Sequence, residues 1–198
     1  MKPFQLCIQN LSKSYGSLTV WERWSLTLPS GRAYCLMGPS GSGKTTLLRI
    51  LLGLEQPDAG SVNLSELPGP VVAVFQENRL CESFSALDNV LLAAGPDLSR
   101  QAAFQELCRL LPWESILRPV STLSGGMKRR VAIVRALLAP SCAIVMDEPF
   151  TGLDEDTKHT VIAYIKEKTA GKLLLAATHQ EEDAAALGAE ILHVPSAL

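Results

Sequence analysis

A lysine and a threonine end a glycine-rich string, GPSGSGKT, at residues 38–45. Glycines at the first, fourth and sixth positions allow a tight loop whose backbone N–H groups point inward and stabilise an anion. Lys44 adds a charge suited to the β and γ phosphates of a nucleotide, and the Thr45 hydroxyl is suited to ligating Mg²⁺. The string therefore predicts a phosphate-binding loop, in preference to a glycine-rich surface turn.

Two carboxylates follow the apolar segment Ala143–Met146. At the end of a buried strand beside a phosphate loop, Asp147 can hold a hydrated metal ion and Glu148 can act as general base toward a water molecule. The alternative is that the pair only ends a strand before a turn at Pro149. Because the phosphate loop precedes them, we favour the catalytic interpretation.

A third string, LSGGM at residues 123–127, runs into a helical stretch. Ser124 is a good helix N-cap, Gly125 and Gly126 allow close backbone approach, and a helix N-terminus favours an anion. An ordinary helix cap would explain an isolated string of this kind. Here it follows a phosphate loop and precedes the Asp-Glu pair, which favours a second phosphate-binding element.

The apolar pattern predicts the elements that position these strings. Partial alternation over Phe4–Leu28 predicts antiparallel strands, and short apolar runs predict buried parallel strands at Ala33–Met37, Val71–Phe75, Ala143–Met146 and Leu173–Thr178. Helical spacing appears at Thr45–Leu54, Ala103–Leu111 and Met127–Leu138. We expect a single α/β domain over residues 1–198, with an antiparallel β subregion. Its core is predicted at residues 1–76 and 139–198, with a helical subdomain at about 77–138 inserted between them.

Composition and net charge bear on whether the chain spans a membrane, is secreted or binds nucleic acid. Apolar residues make up 47% of the chain and no apolar run approaches the roughly 18 residues of a membrane span. The N-terminus lacks the apolar stretch of a secretory signal, so we expect the chain to remain in the cytoplasm. A net charge of -2 gives no support to a nucleic-acid partner.

Several residues are assigned no chemistry. The five cysteines, which lack metal-ligand spacing, are predicted to be buried apolar residues: Cys7, Cys35, Cys81, Cys108 and Cys142. The basic run Lys128–Arg130 is interpreted as a solvated helix face. His159 and His193 are expected to be structural or to face solvent.

Taken in order, the motifs resemble those of the ABC-type ATPases, and most closely the import subunits for nitrate, sulfonates and taurine. The matching positions are Tyr15, GPSGSGKT, Gln76 in VFQENRL, LSGGM, AIVMDEP, GLD at Gly152–Asp154 and His179 in ATH. Met127 departs from the glutamine that is usual in the signature string, and Phe150–Gly152 replaces the more usual small polar residues.

The resemblance implies ATP and Mg²⁺ as cofactors, Tyr15 stacking on adenine, His179 at the γ-phosphate and Asp154 at a dimer seam. With the residues argued above, the nucleotide-binding set is Tyr15, Gly38, Pro39, Ser40, Gly41, Ser42, Gly43, Lys44, Thr45, Thr46, Ser124, Gly125 and Gly126. The catalytic set is Lys44, Gln76, Glu148 and His179, and the metal set is Thr45, Gln76 and Asp147.

The resemblance also implies partners: a second copy of the chain bound head to tail, with Ser124 and Gly126 reaching its γ-phosphate, transmembrane permease subunits and a solute-binding protein. The subunit would then act at the cytoplasmic face of the membrane, importing a small solute such as nitrate, a sulfonate or taurine, and we expect no C-terminal regulatory domain. Leu80 and Phe84 are candidates for the docking surface, whereas Leu87 and Val90 are expected to pack inside.

Two other functions fit the phosphate loop. A soluble ABC ATPase of DNA repair or translation would carry tandem cassettes or a long coiled-coil insertion, which this sequence lacks. A module that binds ATP without turnover would not need Glu148.

Overall fold

The computed structural model describes residues 2–195 and contains two sheets. The strands are β1 Gln5–Tyr15, β2 Leu18–Pro29, β3 Ala33–Met37, β4 Ala59–Val62, β5 Val71–Val74, β6 Ala143–Asp147, β7 Leu173–Ala177 and β8 Glu190–His193. The helices are α1 Lys44–Leu51, α2 Ala86–Leu91, α3 Arg100–Cys108, α4 Trp113–Ile116, α5 Gly125–Leu138, α6 Glu155–Lys168 and α7 Glu181–Leu187. Single 3-10 turns lie at Leu64–Glu66 and Val120–Thr122.

The larger sheet has five parallel strands in the order β5-β6-β7-β3-β8. Every residue of β6 and β7 is buried, as expected for strands that are covered on both faces. Because the strands are parallel, the segments that follow β3, β5, β6 and β7 leave the sheet at one edge. Those segments carry the phosphate loop, Gln76, Glu148 and His179 respectively.

The smaller sheet is antiparallel, in the order β2-β1-β4, and lies on the side of the domain that carries the phosphate loop. Side chains from β1, such as Leu6 and Ile8, share a core with Leu47 and Leu51 of α1 and with Val145 of β6. The phosphate loop thus follows a strand of the parallel sheet, and the antiparallel sheet packs against the same core.

The segment between β5 and β6 holds α2 to α5, which share a second core with the other face of the parallel sheet. Leu87 and Val90 of α2 are buried in this core, and Val131 and Val134 of α5 are fully buried. Helix α5 contacts α2, α3, α6 and β5. The division into a core and a helical subdomain at about residues 77–138 stays a prediction.

All three predicted helices have different bounds in the structure. Helix α3 is Arg100–Cys108 rather than Ala103–Leu111, since the Ser99 hydroxyl accepts a hydrogen bond from the Ala102 N–H at 3.1 Å. Helix α1 ends at Leu51 rather than Leu54, because Gly53 has a φ of +68° and the Leu54 N–H turns back to the Arg49 carbonyl at 2.9 Å. Helix α5 begins at Gly125 rather than Met127, since the Ser124 hydroxyl accepts a hydrogen bond from the Met127 N–H at 3.3 Å.

The prediction of buried cysteines is wrong for three of the five. Cys35 and Cys142 are buried, but Cys7 is half-buried and Cys81 and Cys108 are exposed. Cys108 is the last residue of α3, a helix with weak amphipathic character, and Cys81 lies in the loop before α2. Spacing alone does not reveal burial in such segments.

Within residues 2–195, none of the helices combines the length and apolar character that crossing a bilayer requires.

Candidate nucleotide-binding site

A cleft of about 260 Å³ opens at the carboxyl edge of the parallel sheet. Six residues of the loop and α1 line it: Ser40, Gly41, Gly43, Lys44, Thr45 and Thr46. Gln76, Asp147, Glu148 and His179, from three neighbouring strand ends, complete the lining. The fold therefore brings together residues that are up to 139 positions apart (179 − 40) in the chain.

The loop is packed against β2. Gly43 has a φ of +92°, and a Cβ at this position would lie 2.4 Å from Val20 Cγ1 and Trp21 Cζ2. The Trp21 indole also donates a hydrogen bond to the Ser42 carbonyl at 3.0 Å. A Cβ on Gly38 would lie 2.8 Å from Ser42 Oγ. These contacts leave room only for glycine at position 43, so the loop's path is fixed by its neighbours.

The Lys44 side chain folds back onto the start of its own loop. Its ammonium donates to the Gly38 carbonyl at 2.7 Å and to the Pro39 carbonyl at 3.0 Å. The side chain is buried, so the charge sits in a low-dielectric setting where its attraction for phosphate is strong.

Thr45 and Asp147 form the second part of the site. The Thr45 hydroxyl donates to Asp147 Oδ2 at 2.8 Å, which places two hard oxygen ligands next to Lys44. Within residues 2–195 no group of three or more His, Cys, Asp or Glu side chains could hold a metal ion. Mg²⁺ suits this donor set, because it takes one or two protein oxygens together with water and substrate phosphates.

Glu148 has a left-handed backbone, with a φ of +47°. Its N–H donates to the Ala177 carbonyl of β7 at 2.9 Å. For a residue other than glycine this conformation costs about 1 kcal/mol or more and requires firm support from its neighbours. It directs the carboxylate into the cleft beside His179.

The Glu148 carboxylate is close to a histidine but keeps a free acceptor. Glu148 Oε1 lies 3.1 Å from His179 Nε2, and it is buried without a hydrogen-bond partner among residues 2–195. Burial raises the pKa of Glu148 above its ordinary value, while a positive charge on His179 acts in the opposite direction. A carboxylate with a raised pKa and an unused oxygen can accept a proton from water.

The loop that carries His179 is held by a buried ion pair. The Thr178 hydroxyl donates to Asp183 Oδ2 at 2.8 Å, and the other Asp183 oxygen binds the Lys158 ammonium of α6. Lys158 also donates to the Gln180 side chain at 2.9 Å. This network joins α6 and α7 to the residues on both sides of His179, although sequence analysis did not single out any of its members.

Arg129 corrects the interpretation of the basic run. Lys128 and Arg130 are half-buried, but Arg129 is only 3% exposed and points inward to the carbonyls that follow β5 and β6. The apolar run Val131–Val134 was the available signal, since a helix that is apolar on several faces is buried on several faces. The run Lys128–Arg130 is therefore not a solvated face.

Seven of the predicted nucleotide-binding residues do not line the cleft. Gly38, Pro39 and Ser42 belong to the phosphate loop beside it, and the other four lie elsewhere. Tyr15 ends β1 with 46% of its surface exposed, and the Lys13 ammonium lies 5.1 Å from its ring centre. Ser124 and Gly125 are exposed at the N-terminus of α5, and Gly126 is half-buried close to the Gly152 carbonyl. None of the four contributes to the lining described above.

A larger cavity of about 420 Å³ lies at the other end of the domain. Its charged lining residues are the cations Arg32, Lys166 and Lys172 and the anion Glu190. It contains none of the motif residues.

Comparison with known proteins agrees with this geometry. Residues 21–151 match the family model described as ABC transporter. The Nod factor export ATP-binding protein I of Ralstonia nicotianae is 36% identical, over 94% of this chain and 63% of its own length. The Aliphatic sulfonates import ATP-binding protein SsuB 1 of Nocardia farcinica is 37% identical, over 96% of this chain and 78% of its own length. This chain thus spans less than two thirds of the Nod factor export relatives and about three quarters of the sulfonate import relatives.

Solved structures with the same fold include ATP-binding cassettes. The dimeric, post-hydrolysis structure of the cassette MJ0796 bound to ADP and Pi superposes with a TM-score of 0.83 at 27% identity, covering 96% of this chain and 94% of that one. The dimeric structure of MJ0796, a bacterial ABC transporter cassette, gives the same values.

Proposed function

This chain belongs to the ABC transporter family, and we propose that it binds and hydrolyses ATP to drive a transporter. One observation carries the proposal: a single cleft gathers the phosphate loop, Asp147, Glu148, His179 and Gln76 from four neighbouring strand ends. A protein that bound ATP without turnover would have no need for a partly buried carboxylate with a free oxygen in that cleft.

We propose a role for each residue of the cleft. Lys44 and the loop N–H groups hold the phosphates, and His179 faces the terminal phosphate beside Glu148. Thr45, Asp147 and Gln76 would hold Mg²⁺, which neutralises phosphate charge when it is bound. Glu148 accepts the proton of the water molecule that attacks the γ-phosphate. These assignments are supported by the position of each side chain in the cleft.

We further propose that two copies close head to tail around two nucleotides. Ser124, Gly125 and Gly126 lie at the N-terminus of the 14-residue helix α5, outside the cleft of their own chain and open to a partner. A helix N-terminus favours an anion such as phosphate, and the two glycines allow it to approach the backbone closely. Tyr15, on the exposed end of the β1-β2 hairpin, is proposed to stack on adenine.

Replacing Glu148 with glutamine tests the hydrolytic role. We expect Glu148→Gln to retain ATP binding and to lose roughly a hundredfold in hydrolysis, because a positioned general base contributes on that scale. The closed dimer should then accumulate with ATP and Mg²⁺, which size-exclusion chromatography detects. Glu114→Gln, on the exposed face of α4, is the control. Undiminished phosphate release by Glu148→Gln would remove Glu148 from its role.

The membrane partner is proposed to be a permease, with the subunit at the cytoplasmic face. Phe84 is 44% exposed and lines a surface groove with Leu117 and Pro119, whereas Leu80 is half-buried against the helical core. Exposed aromatic and aliphatic groups rimmed by polar residues are typical of interaction sites. Phe84 and Leu117 are therefore the proposed docking groups.

We propose import of a small solute such as nitrate, a sulfonate or taurine, with a solute-binding protein in the complete system. Support comes from the sulfonate import relatives, which are 37% and 36% identical to this chain over 96% of its length. The Nod factor export relatives are 34–38% identical, so the direction of transport is decided by experiment. Purification from native membranes and identification of the accompanying subunits tests this. A co-purified solute-binding protein supports import, and its absence beside a permease that exports its substrate would overturn import alone.

A further inference from the structure

The Arg129 guanidinium binds the backbone on both sides of the proposed base. Its Nε donates to the Pro149 carbonyl at 3.0 Å, and its Nη2 donates to the Asp147 carbonyl at 2.7 Å and to the Glu148 carbonyl. Three successive carbonyls thus converge on one planar group. Such convergence requires a sharp turn of the chain, and Glu148, the middle residue, has the left-handed φ of +47°.

The same side chain also binds the segment that carries Gln76. Arg129 Nη1 donates to the Phe75 carbonyl, to the Gln76 carbonyl at 3.3 Å and to Asn78 Oδ1 at 3.4 Å. Arg129 therefore joins three segments: helix α5, the turn after β5 and the turn after β6. Arginine can bind both turns at once because its planar guanidinium carries five N–H donors that point in different directions. The compact lysine ammonium has three donors on one nitrogen and cannot bind both turns in the same way.

The charge of Arg129 is held in place without a paired carboxylate. Within residues 2–195 it forms no salt bridge, and Asp147 and Glu148 act on it only as more distant charges. A buried cation is costly unless its donors are satisfied, so the carbonyl positions and the guanidinium position determine each other. Displacing Arg129 would release both turns.

We propose that Arg129 is a positioning residue for hydrolysis, which fixes the backbone carrying Glu148 and Gln76 and ties it to the helix that begins at Ser124. The proposal rests on the proposed function and deepens it. Ser124 is the N-cap of the helix that carries Arg129, five positions before it, at the end proposed to meet the partner's nucleotide. A shift of α5 on closure would therefore be transmitted directly to the base of its own subunit.

Arg129→Gln and Arg129→Lys test the proposal in the full chain. We expect Arg129→Gln to lower kcat by about tenfold to a hundredfold, because displacement of a reacting group by about 1 Å has effects of that size. The KM and the affinity for a fluorescent ATP analogue should change by less than about twofold, since the loop itself is untouched. Arg129→Lys keeps the charge without the fork and should restore only part of the loss. Full recovery with lysine would overturn positioning by the fork.

The matched control is Arg135→Gln. Arg135 lies on the same helix and donates to the Asn78 and Arg79 carbonyls at 3.1 and 2.8 Å, but among residues 2–195 it makes no hydrogen bond to the turn after β6. We expect its loss of kcat to be smaller than that of Arg129→Gln. Equal losses would show that support of the turn after β5 alone is sufficient, and would overturn the role assigned through Glu148.

A double-mutant cycle separates positioning from general destabilisation. If Arg129 acts through Glu148, adding Arg129→Gln to Glu148→Gln should reduce single-turnover hydrolysis by less than about twofold further. Losses that multiply would overturn the role assigned to Arg129 through Glu148. Should Arg129→Gln not fold, as judged by circular dichroism, the cycle is run with Arg129→Lys. Activity of the unaltered chain and its loss in Glu148→Gln test the proposed function separately, so either conclusion can fail alone.

Discussion

At the scale of single residues, chemistry limits the choice of side chain, and this is why so much of the site is readable in the sequence. Phosphate binding needs glycines and a lysine, metal binding needs hard oxygens, and proton transfer needs a group such as Glu148. The structure places these residues in one cleft. Motif chemistry is therefore visible before the fold is known.

Arg129 shows where this reasoning ends. Its partners are backbone carbonyls, which every residue carries, and they lie 18 to 54 positions away in the chain. No residue type at those distant positions indicates an arginine contact. The Lys158–Asp183 pair was missed for a related reason, since both residues are common on helix surfaces and only the packing of α6 on α7 buries them.

A prediction at this scale concerns pH. Glu148 must be ionised to accept a proton, burial raises its pKa, and the charge on protonated His179 lowers it. Removing that charge with His179→Ala should raise the pKa of Glu148 and move the acidic limb of the kcat profile to higher pH. Single-turnover hydrolysis measured against pH gives the position of the limb independently of its height.

His159→Ala is the control for this experiment, because His159 is exposed on α6 outside the cleft. Its acidic limb should coincide with that of the unaltered chain. A limb that stays in place or moves to lower pH in His179→Ala would contradict the charge interaction between His179 and Glu148.

At the scale of elements, the buried parallel strands were predicted closely, the half-exposed β1 and β2 were predicted only as a region, and the exposed strand β4 was not predicted. The predicted segment Ala33–Met37 is β3 without change, and β6 and β7 differ from prediction by one residue at the end. Continuous apolar runs identify such strands because both faces are covered. Strand β4, Ala59–Val62, was not predicted, since its residues are mostly exposed and small and its place in the sheet depends on pairing with β1.

The fit between the phosphate loop and β2 gives a prediction about two glycines. Gly43 and Gly41 both have left-handed backbones, with φ of +92° and +82°. Of the two, Gly43 is packed directly against Val20 and Trp21, whereas a Cβ on Gly41 would meet no atom within 4 Å. Gly43→Ala adds a steric clash to the backbone strain that both variants share. We expect it to cost roughly 2 kcal/mol more than Gly41→Ala, which is roughly 4–8 °C in Tm for a domain of this size.

Thermal unfolding of the two variants without nucleotide measures this difference. Because the comparison is made between two left-handed glycines of one loop, the strain common to both cancels. Equal Tm values would show that β2 yields to the added methyl group, and the loop would then not depend on Trp21 and Val20 for its path.

At the scale of the whole molecule, the parallel order β5-β6-β7-β3-β8 explains why distant motifs meet. Sequence analysis predicted parallel strands but not their order, because order depends on which apolar faces pack together and the strands resemble one another. The order sets Gln76, Glu148, His179 and the phosphate loop side by side at one edge. It leaves Ser124 at a different surface.

That separation leads to the last prediction. Ser124→Arg should block hydrolysis without blocking ATP binding, because a bulky cation obstructs a site that the partner completes. Lys44→Ala should also be inactive, since it removes the charge that holds the phosphates. When the two variants are mixed, a heterodimer carries both lesions in one composite site and leaves the other site intact. Mixing should therefore restore phosphate release, to at most about half the activity per dimer.

The result distinguishes the two possible arrangements. If Ser124 served the cleft of its own chain, each subunit of the heterodimer would carry one lesion in its only site, and mixing would restore nothing. Heterodimer formation is checked independently by pulling down one tagged variant with the other in the presence of ATP. Restored hydrolysis would support the composite site, and continued inactivity of a proven heterodimer would refute it, because Ser124 of one chain and Lys44 of the other would then not share a site.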